Sequence, residues 1–223
     1  GALIVGDELG DACDDNDDND LLTDVQEDTN GNLIYDNGIE PNPHNPDTDS
    51  DGVLDGADNC ILTNNGDQQN TDAELVANGN TLITSDGLGD ACDDDDDNDG
   101  LTDNFEVGQS QTSPFNPDHD SDGIRDDVDN CPLNANANQL NTDAILEQQN
   151  GITVGDTLGD VCDDDIDNDN VLNIDDSHEL DPFRCTDIDL DTCDDCAVTA
   201  QQNSFNDGVD TDNDQLCDDG DLD

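Results

Sequence analysis

The chain has 223 residues and a formal net charge of −61, and Arg125 and Arg184 are its only strong bases. Such a chain cannot collapse unaided because like charges repel wherever two segments approach, so cations are expected to be part of the fold. The charge excludes nucleic acid as a partner, and no apolar run approaches the length of a membrane span, so membrane insertion is not expected. Because only 2% of the residues are aromatic, the core must be thin and local, and metals and disulfides must take its place.

The acidic residues are strongly biased toward aspartate, since only seven of the 63 are glutamates. A merely solvating acidic tail has no reason to avoid glutamate, whereas short aspartate side chains suit tight chelating loops. The alternative is a disordered acidic chain, which the low aromatic content favours. We expect that state only without cations, because disorder does not require regularly spaced aspartates, cysteines and glycines.

A short motif, Gly-Asp-x-Cys-Asp, recurs along the chain and ends at Asp14, Asp93 and Asp163. This recurrence indicates an internal repeat. It predicts a partial repeat over residues 1–14, one repeat over 15–93, a second over 94–163, and a cysteine-rich terminal segment over 164–223.

Each motif is followed by a loop of alternating ligands, Asn16–Glu27, Asp95–Glu106 and Asp165–Asp176. Side-chain oxygens at loop positions 1, 3, 5, 9 and 12, a backbone carbonyl at 7 and glycine at 6 are the ligand order of an EF-hand-type calcium loop. Leu21 and Asn170 replace that glycine in two of the loops. Asparagine adopts the left-handed conformation at modest cost but leucine does not, so the first loop is expected to be distorted.

The ends of two of these loops, Leu22–Glu27 and Leu101–Glu106, each predict one helical turn, and little other helix is expected. Connectors over 28–46 and 107–117 then lead into the best-matched loops, Asp47–Asp58 and Asp118–Asp129. Both of these loops end in aspartate where glutamate is usual. Sites made only of oxygen ligands with many carboxylates favour the flexible coordination sphere of calcium, whereas magnesium keeps its waters, so several Ca²⁺ ions are the expected cofactors.

Two further loops are interrupted. Asn70 and Asp72 take positions 1 and 3 of a loop whose position 5 is Asp86, and Asn141 and Asp143 are separated from Asp156 in the same way. The insertions, about 73–85 and about 144–155, carry apolar residues on both sides of an Asn-Gly pair. This pattern is typical of a hairpin, so a β-hairpin is expected to grow out of each interrupted loop.

The combination of Asp-x-Asp-x-Asp-Gly, Asp-Asn-Cys, a later glutamine and Gly-x-Gly-Asp-x-Cys-Asp resembles the thrombospondin type 3 repeat. The resemblance covers most of residues 1–176 and more loosely the remainder. It implies a bacterial-type extracellular array wound around calcium ions. It also implies that each Asn-Cys cysteine pairs with the next Gly-Asp-x-Cys cysteine, which gives Cys60–Cys92 and Cys131–Cys162.

The terminal segment changes pattern from Ser177 onward and contains four cysteines. They could form a zinc site, but only Cys193 and Cys196 are a close pair, so disulfides Cys185–Cys193 and Cys196–Cys217 are expected instead. A redox role is weaker still, because neighbouring aspartates raise the pKa of a thiol and suppress the thiolate. Asp187, Asp189 and Asp191 keep the chelating alternation, as do Asp210, Asp212 and Asp214, with Asp218 and Asp221 at positions 9 and 12.

The expected fold is therefore a mostly irregular array of calcium-wrapped loops with short hairpins, single-turn helices and little conventional core. Its predicted ligands are those placed at chelating positions: Asp7, Asp11, Asp14, Asn16, Asp18, Asp20, Asp24, Glu27, Asp47, Asp49, Asp51, Val53, Asp55, Asp58, Asn70, Asp72, Asp86, Leu88, Asp90, Asp93, Asp95, Asp97, Asp99, Leu101, Asp103, Glu106, Asp118, Asp120, Asp122, Ile124, Asp126, Asp129, Asn141, Asp143, Asp156, Leu158, Asp160, Asp163, Asp165, Asp167, Asp169, Val171, Asp176, Asp187, Asp189, Asp191, Asp210, Asp212, Asp214, Asp218 and Asp221. The apolar residues in this set offer backbone carbonyls.

No enzymatic activity is expected. His44, His119 and His178 are scattered singly with no nucleophile placed for a relay, and a catalytic carboxylate pair needs an apolar pocket that so few aromatic residues cannot build.

Two functions remain. Nine cysteines in a chain without lysine indicate an oxidising, extracellular location, secreted or at the cell surface, where calcium is plentiful. One function is a calcium-stiffened, disulfide-stapled rod whose copies assemble into a filament or matrix fibre; the other is a spacer or adhesion module that presents a ligand-binding domain outside this segment. Other matrix or cell-surface components are further expected partners. The apolar segment 2–5 resembles an unpaired strand, and Cys13 is an odd cysteine, expected to be unpaired or intermolecular. Their partners are expected either in an upstream part of the same polypeptide or in neighbouring copies, and filament assembly through neighbouring copies is favoured.

Overall fold

The computed structural model describes residues 14–150, 155–211 and 216–218. Its regular elements are short and far apart. They are α1 (Asp24–Glu27), a 3₁₀ turn (Asp55–Ala57), α2 (Thr71–Ala77), α3 (Asp103–Phe105), which continues as a π-turn (Glu106–Ser110), and α4 (Thr142–Asn150). Among the described residues there is no β-strand, and pairing is limited to an isolated bridge between Asn37 and Glu40. The mostly irregular, loop-rich fold is therefore confirmed.

The described residues form two compact units, one ending at Pro117 and the other beginning at Asp118. This division falls inside the predicted 94–163 repeat. The predicted repeat boundaries describe the periodicity of the sequence and not the compact units, so they remain a prediction. In the described residues, no helix is long and apolar enough to span a membrane.

The predicted hairpin in the first insertion is wrong, because its first half is helix α2. Asn70 caps this helix by accepting a hydrogen bond from the Ala73 N–H at 2.7 Å. At the other end the N–H groups of Gly79 and Asn80 donate to the carbonyls of Val76 and Leu75, both at 3.0 Å, which are the two bonds of a Schellman motif. Asn-Gly is thus the end of a helix and not a hairpin turn.

The second insertion departs from prediction in the same way, since its first half is α4. Its expected second strand falls on residues 151–154, outside the described residues. With these two helices, the expectation of little helix beyond single turns is also wrong, whereas the single turns themselves occur as α1 and α3. Alanine, leucine and glutamate favour helix strongly enough to form these segments once an asparagine caps them.

The buried apolar residues of the described chain are few, and most are cysteines: Cys60, Ile83, Cys131, Val171, Cys185, Cys193, Cys196, Ala200 and Cys217. Buried acids outnumber them, and Asp20, Glu27 and Asp97 are fully enclosed. A normal core excludes unpaired charge, because taking an ionised carboxylate out of water is very costly. The interior of this protein is therefore built for cations.

The structure joins Cys60 with Cys92 and Cys131 with Cys162, each pair with Cα atoms 5.7 Å apart, which is the pairing that the resemblance implies. The other two disulfides are Cys185–Cys196 and Cys193–Cys217. The predicted pairs Cys185–Cys193 and Cys196–Cys217 are therefore wrong, and since all four sulfurs are bonded, they offer no thiolates to zinc.

Asp194 explains the observed pairing. Its Oδ1 accepts hydrogen bonds from the N–H groups of both Cys185, at 2.8 Å, and Cys196, at 3.1 Å, and so brings these two cysteines together. Cys217 is placed by its own N–H, which donates to the Asp191 carbonyl at 2.7 Å, beside Cys193. The pairing is therefore selected by hydrogen bonds from the cysteine N–H groups, and not by the distance between the cysteines in the sequence.

Candidate metal centres

The loop Asp47–Asp58 shows how the alternating aspartates fold. The N–H of Asp51 donates to Oδ1 of both Asp47 and Asp49 at 3.1 Å, and the N–H of Gly52 donates to Oδ2 of Asp47 at 3.0 Å. Further along, the Val53 N–H donates to Asp51 Oδ1 at 2.8 Å. Each carboxylate thus binds the backbone of its own turn, and carboxylate oxygens of Asp47, Asp49 and Asp51 converge to within 4.8 Å of one another.

Position 9 closes this turn from the other side. The N–H of Thr48 donates to Asp55 Oδ1 at 2.7 Å, and the Thr48 hydroxyl donates to Asp55 Oδ2 at 2.5 Å. The equivalent bond from the N–H at position 2 to the carboxylate at position 9 joins Asp17 to Asp24, Asp96 to Asp103 and His119 to Asp126. The loops that were predicted from their spacing therefore share one backbone conformation, held by the same hydrogen bond between positions 2 and 9.

The turn requires a left-handed residue at position 6. Gly52, Gly100 and Gly123 fulfil this with φ values of 101°, 104° and 96°. Leu21 takes the same conformation with φ 91°, and Leu22 still donates its N–H to Asp20 Oδ1 at 2.7 Å. The expected distortion of the first loop is thus not observed: the side chain of Leu21 is largely exposed, and the loop keeps its turn.

Buried oxygens without hydrogen bonds indicate what the first loop holds. Asp18, Asp20 and Glu27 bring carboxylate oxygens within 4.8 Å of one another, and all three side chains are buried. Both oxygens of Asp18, both of Glu27 and Oδ2 of Asp20 are buried without a hydrogen-bond partner. Burial, together with the charges of Asp18 and Asp20, raises the pKa of Glu27 to about 8, and burial and Asp20 raise the pKa of Asp18 to about 6.

The loops Asp95–Glu106 and Asp165–Asp176 repeat this arrangement. Burial raises the pKa of Asp97 to about 8, with further increases from Asp99 and Glu106. In the other loop, burial and Asp169 raise the pKa of Asp167 to about 7, and Asp167 has both oxygens buried without a partner. In both loops the charge of the residue at position 12, Glu106 or Asp176, acts on the carboxylate at position 3, as the calcium-loop pattern requires.

These donor sets fit calcium. They offer only oxygens, several of them buried carboxylate oxygens with nothing to neutralise them, and a hard divalent cation supplies the missing charge. The residues of loop 16–27 that would hold such an ion are Asp18, Asp20 and Glu27, together with the backbone of the same turn.

The two parts of each interrupted loop meet in space. The Asp86 N–H donates to Asp72 Oδ2 at 2.9 Å, and the Leu88 N–H donates to Asp86 Oδ1 at 2.8 Å, as positions 5 and 7 do in the uninterrupted loops. Thr71 donates its N–H to Asp90 Oδ1 at 2.7 Å, which is the bond between positions 2 and 9. Equivalent bonds join Asp156 to Asp143 at 2.7 Å, Leu158 to Asp156 at 2.6 Å and Thr142 to Asp160 at 2.7 Å. The helical insertions leave the two ends of each loop together.

Asn70 and Asn141, at position 1 of the interrupted loops, were predicted to be ligands but cap helices instead. Asn70 caps α2 with its Oδ1 and donates from Nδ2 to the carbonyl of Leu88, which was predicted to be the ligand at position 7. Asn141 likewise accepts from the Ala144 N–H at 2.8 Å and donates to the Leu158 carbonyl at 2.7 Å. In the structure both asparagines hold the helical insertion against the loop.

Several residues at these sites were missed from the sequence. Asn173 occupies position 9 of its loop, where it accepts from the Ile166 N–H at 3.0 Å, and the eight-residue spacing from Asp165 was the available signal. Gln68 and Gln139 each donate from Nε2 to the carboxylate at position 12, Asp58 and Asp129, at 2.7 Å. These glutamines therefore orient the carboxylates that are predicted to be the last ligands of the best-matched loops.

The first connector contains the same turn. The Asn32 N–H donates to Asp28 Oδ1 at 3.1 Å and to Asn30 Oδ1 at 3.0 Å. Leu33 is left-handed with φ 61°, and its N–H donates to Asp28 Oδ2 at 2.8 Å. The Ile34 N–H donates to Asn32 Oδ1 at 2.6 Å. The spacing Asp-x-Asn-x-Asn was the signal in the sequence. Here Glu40 accepts from the Asp36 N–H and from Asn30 Nδ2, so hydrogen bonds already satisfy its buried carboxylate.

The remaining predicted ligands near the ends are only partly described. Asp7, Asp11, Asp212, Asp214 and Asp221 lie outside the described residues, as does Cys13. Asp218 accepts from the Thr211 N–H at 2.8 Å and the Thr211 hydroxyl at 2.6 Å, and these bonds lower its pKa.

Comparison with known families gives three matches to the model of the thrombospondin type 3 repeat, over residues 84–111, 116–139 and 153–177. Comparison with curated proteins gives no match. The three matched stretches contain the loops 95–106, 118–129 and 165–176 described above.

Proposed function

We propose, on the premise that this chain is a thrombospondin type 3 repeat protein across residues 84–177, that it is an extracellular structural segment whose folded state is built around bound calcium. Thrombospondin type 3 repeats are calcium-binding extracellular modules. The repeated register of hydrogen bonds outside the matched residues, in loops 16–27 and 47–58, extends the same interpretation toward the start of the described chain.

The observation that carries the proposal is the set of buried carboxylate oxygens without partners. Asp18, Glu27 and Asp167 each have two such oxygens. An isolated ionised carboxylate away from water is costly, and like charges beside it add to the cost. Calcium removes both penalties in one step, and the thin apolar core offers no other source of comparable stability.

The four disulfides fit this proposal, because covalent links take over part of what a hydrophobic core does in other proteins. They also fit an oxidising, extracellular location, where thiols pair and calcium is plentiful.

Calcium removal is the test. Circular dichroism and the hydrodynamic radius should both change when EGTA is added to the calcium-loaded protein, because the carboxylates then repel one another. Addition of calcium in excess of EGTA should restore both. If neither quantity changes on chelation, the loops are not structural ion sites and the proposed function is wrong.

We further propose that copies of the chain assemble into a filament or matrix fibre. The four disulfides use eight of the nine cysteines and leave Cys13 as the ninth, and the apolar sequence 2–5 precedes it. An odd cysteine and an apolar segment both call for a partner. Because the insertions begin with the helices α2 and α4, hairpin edges do not support lateral strand pairing between copies, and the proposal of assembly rests on segment 2–5 and Cys13.

Imaging tests the assembly. In millimolar calcium the full chain should form filaments, whereas a version lacking residues 1–5 should not. If both remain monomers with Cys13 a free thiol, the alternative applies, a calcium-binding spacer or adhesion module that presents a ligand-binding domain.

A further inference from the structure

The loop that begins at Asp187, beyond the matched repeats, shares three hydrogen bonds with the chelating loops described above. The N–H groups of Thr192 and Cys193 donate to Asp187 Oδ2 at 3.1 Å and to Asp191 Oδ1 at 2.8 Å. The Ile188 N–H donates to Asp195 Oδ2 at 3.2 Å, which is the bond between positions 2 and 9. Thr192, at position 6, is left-handed with φ 83°. Asp195 therefore occupies position 9 of this loop, a position that the sequence prediction left unassigned.

This loop has no ligand at its own position 12. That position is Val198, which has no side-chain oxygen and is half exposed. Val198 lies inside a local turn, in which the Ala200 N–H donates to the Cys196 carbonyl at 3.0 Å.

Asp207 lies beside this loop and is contributed by a later segment of the chain. An oxygen of Asp207 lies within 4.8 Å of one of Asp191, and the Asp207 side chain is only 6% exposed. Asp207 Oδ2 is buried without a hydrogen-bond partner, and so is Asp195 Oδ1 in a side chain that is fully buried. Burial raises the pKa of both groups, and each is raised further by Asp189.

The backbone holds Asp207 in this position. The Asn203 N–H donates to the Asp195 carbonyl at 2.9 Å, and the Asp218 N–H donates to the Val209 carbonyl at 2.8 Å. Between these anchors Gly208 packs against the Cys193–Cys217 disulfide so closely that a Cβ atom there would overlap both sulfurs. Glycine is thus required next to Asp207, and the disulfide fixes the approach of its carboxylate.

We propose that Asp207 closes a calcium site made by Asp187, Asp189, Asp191, the Cys193 carbonyl and Asp195. The donor set consists of oxygens alone, because the neighbouring sulfurs are bonded to each other, and it therefore suits a hard divalent cation. The inference rests on the proposed function, and it adds a site whose last ligand comes from a separate segment of the chain.

The test counts bound ions in Asp207→Asn and in a matched control, Asp175→Asn, which removes one exposed carboxylate at a position without a ligand role. At a calcium concentration that saturates the parent chain, Asp207→Asn should bind about one ion fewer, and Asp175→Asn should bind as many as the parent. Hydrogen exchange over residues 186–196 should require about tenfold more calcium for protection in Asp207→Asn, because a ligand is lost. Equilibrium dialysis with metal analysis supplies the ion count.

A second variant separates ligation from folding. Asp207→Glu keeps the carboxylate and should keep the ion, and peptide mapping should show Cys185–Cys196 and Cys193–Cys217 in both variants. The site is overturned if Asp207→Asn behaves like Asp175→Asn, or if Asp207→Glu and Asp207→Asn lose the ion and the native disulfides equally. A parent chain that binds no calcium contradicts the proposed function itself, whereas a calcium-binding parent with an unchanged Asp207→Asn contradicts only this site.

Discussion

Glu27 places a full carboxylate in the interior beside Asp18 and Asp20, and neither of its oxygens has a hydrogen-bond partner. Its exposed counterpart is Glu74 on α2. The two glutamates have the same chemistry and differ in environment, so they form a matched pair for substitution.

We predict that Glu27→Gln weakens calcium binding by loop 16–27 about tenfold or more, because it removes a charged ligand. Glu74→Gln should leave calcium binding unchanged. Titration of calcium, followed by hydrogen exchange over residues 16–27, measures both. Equal midpoints in the two variants would contradict the role of Glu27 as a ligand.

The raised pKa values predict how pH acts on the calcium-free chain. Glu27 and Asp97 have a pKa of about 8, and Asp167 has a pKa of about 7, all above the ordinary values of 4.5 and 3.8. A group whose pKa is raised on folding stabilises the folded state below its unfolded pKa, and this stability is lost as pH rises through the folded value. The calcium-free chain should therefore be most compact near pH 4 and expand between about pH 4 and 8.

Protons and calcium compete for the same oxygens, so the calcium concentration at half folding should fall as pH rises over this window. Light scattering on dialysed, calcium-free protein and calcium titrations at several pH values measure the two effects. A calcium-free chain that is most compact at pH 8 would contradict the assignment of these buried carboxylates.

At the scale of elements, the helical insertions are set by their ends. Gly79 has φ 98° and nothing within 4 Å of the position of a Cβ, whereas Gly108 has the same open space without positive φ. A Cβ atom would meet no steric overlap at either glycine, so substitutions at the two positions differ only in backbone strain.

We predict that Gly79→Ala destabilises the calcium-loaded protein by about 1 kcal/mol, because alanine is strained in the left-handed conformation that ends α2. Gly108→Ala should be neutral or slightly stabilising, since alanine suits a helical backbone. Chemical denaturation in calcium compares the two. A result in which both variants lose equal stability would show that the Gly79 turn is not the cause.

The terminal disulfides depend on Asp194, which holds the N–H groups of Cys185 and Cys196. We predict that oxidative refolding of Asp194→Ala gives mixed pairs, including Cys185–Cys193, because the two cysteines are no longer brought together. Asp175→Ala is the control and should keep the native pairs. Peptide mapping that finds only native pairs in Asp194→Ala would refute this role.

At the scale of the whole molecule, the two compact units each contain their own loops and disulfides. In an array where each unit contacts only its neighbours, the loss of one ligand has a local effect. Asp51 and Asp122 occupy the same loop position in the two units, and their Oδ2 atoms accept from the N–H groups of Asn65 and Asn136 at 3.0 and 2.7 Å.

We predict that Asp51→Ala reduces hydrogen-exchange protection over residues 47–93 and leaves 118–163 protected. Asp122→Ala should give the reciprocal result. Loss of protection throughout the chain in either variant would show that the molecule unfolds as one cooperative body.

The sequence alone determined the chelating register, because ligands at fixed spacing need only a local turn to converge. This is why the turn of a loop such as Asp47–Asp58 follows the predicted spacing, and why the single turns α1 and α3 were predicted correctly. Even Leu21 follows this local rule, since the surrounding hydrogen bonds hold it in a conformation that its side chain disfavours.

Only the tertiary structure decided what depends on distant segments. The Asn-Gly of the first insertion fits a hairpin or a helix end equally well, and the cap at Asn70 selected the helix. The hydrogen bonds that Asp194 Oδ1 accepts from Cys185 and Cys196, and the bond that the Cys217 N–H donates to the Asp191 carbonyl, selected the disulfide pairs against sequence proximity. Asp207 reaches its loop across nine residues from Val198, and no spacing rule predicts such a ligand, because its place is set by a disulfide and a glycine that meet only in the folded chain.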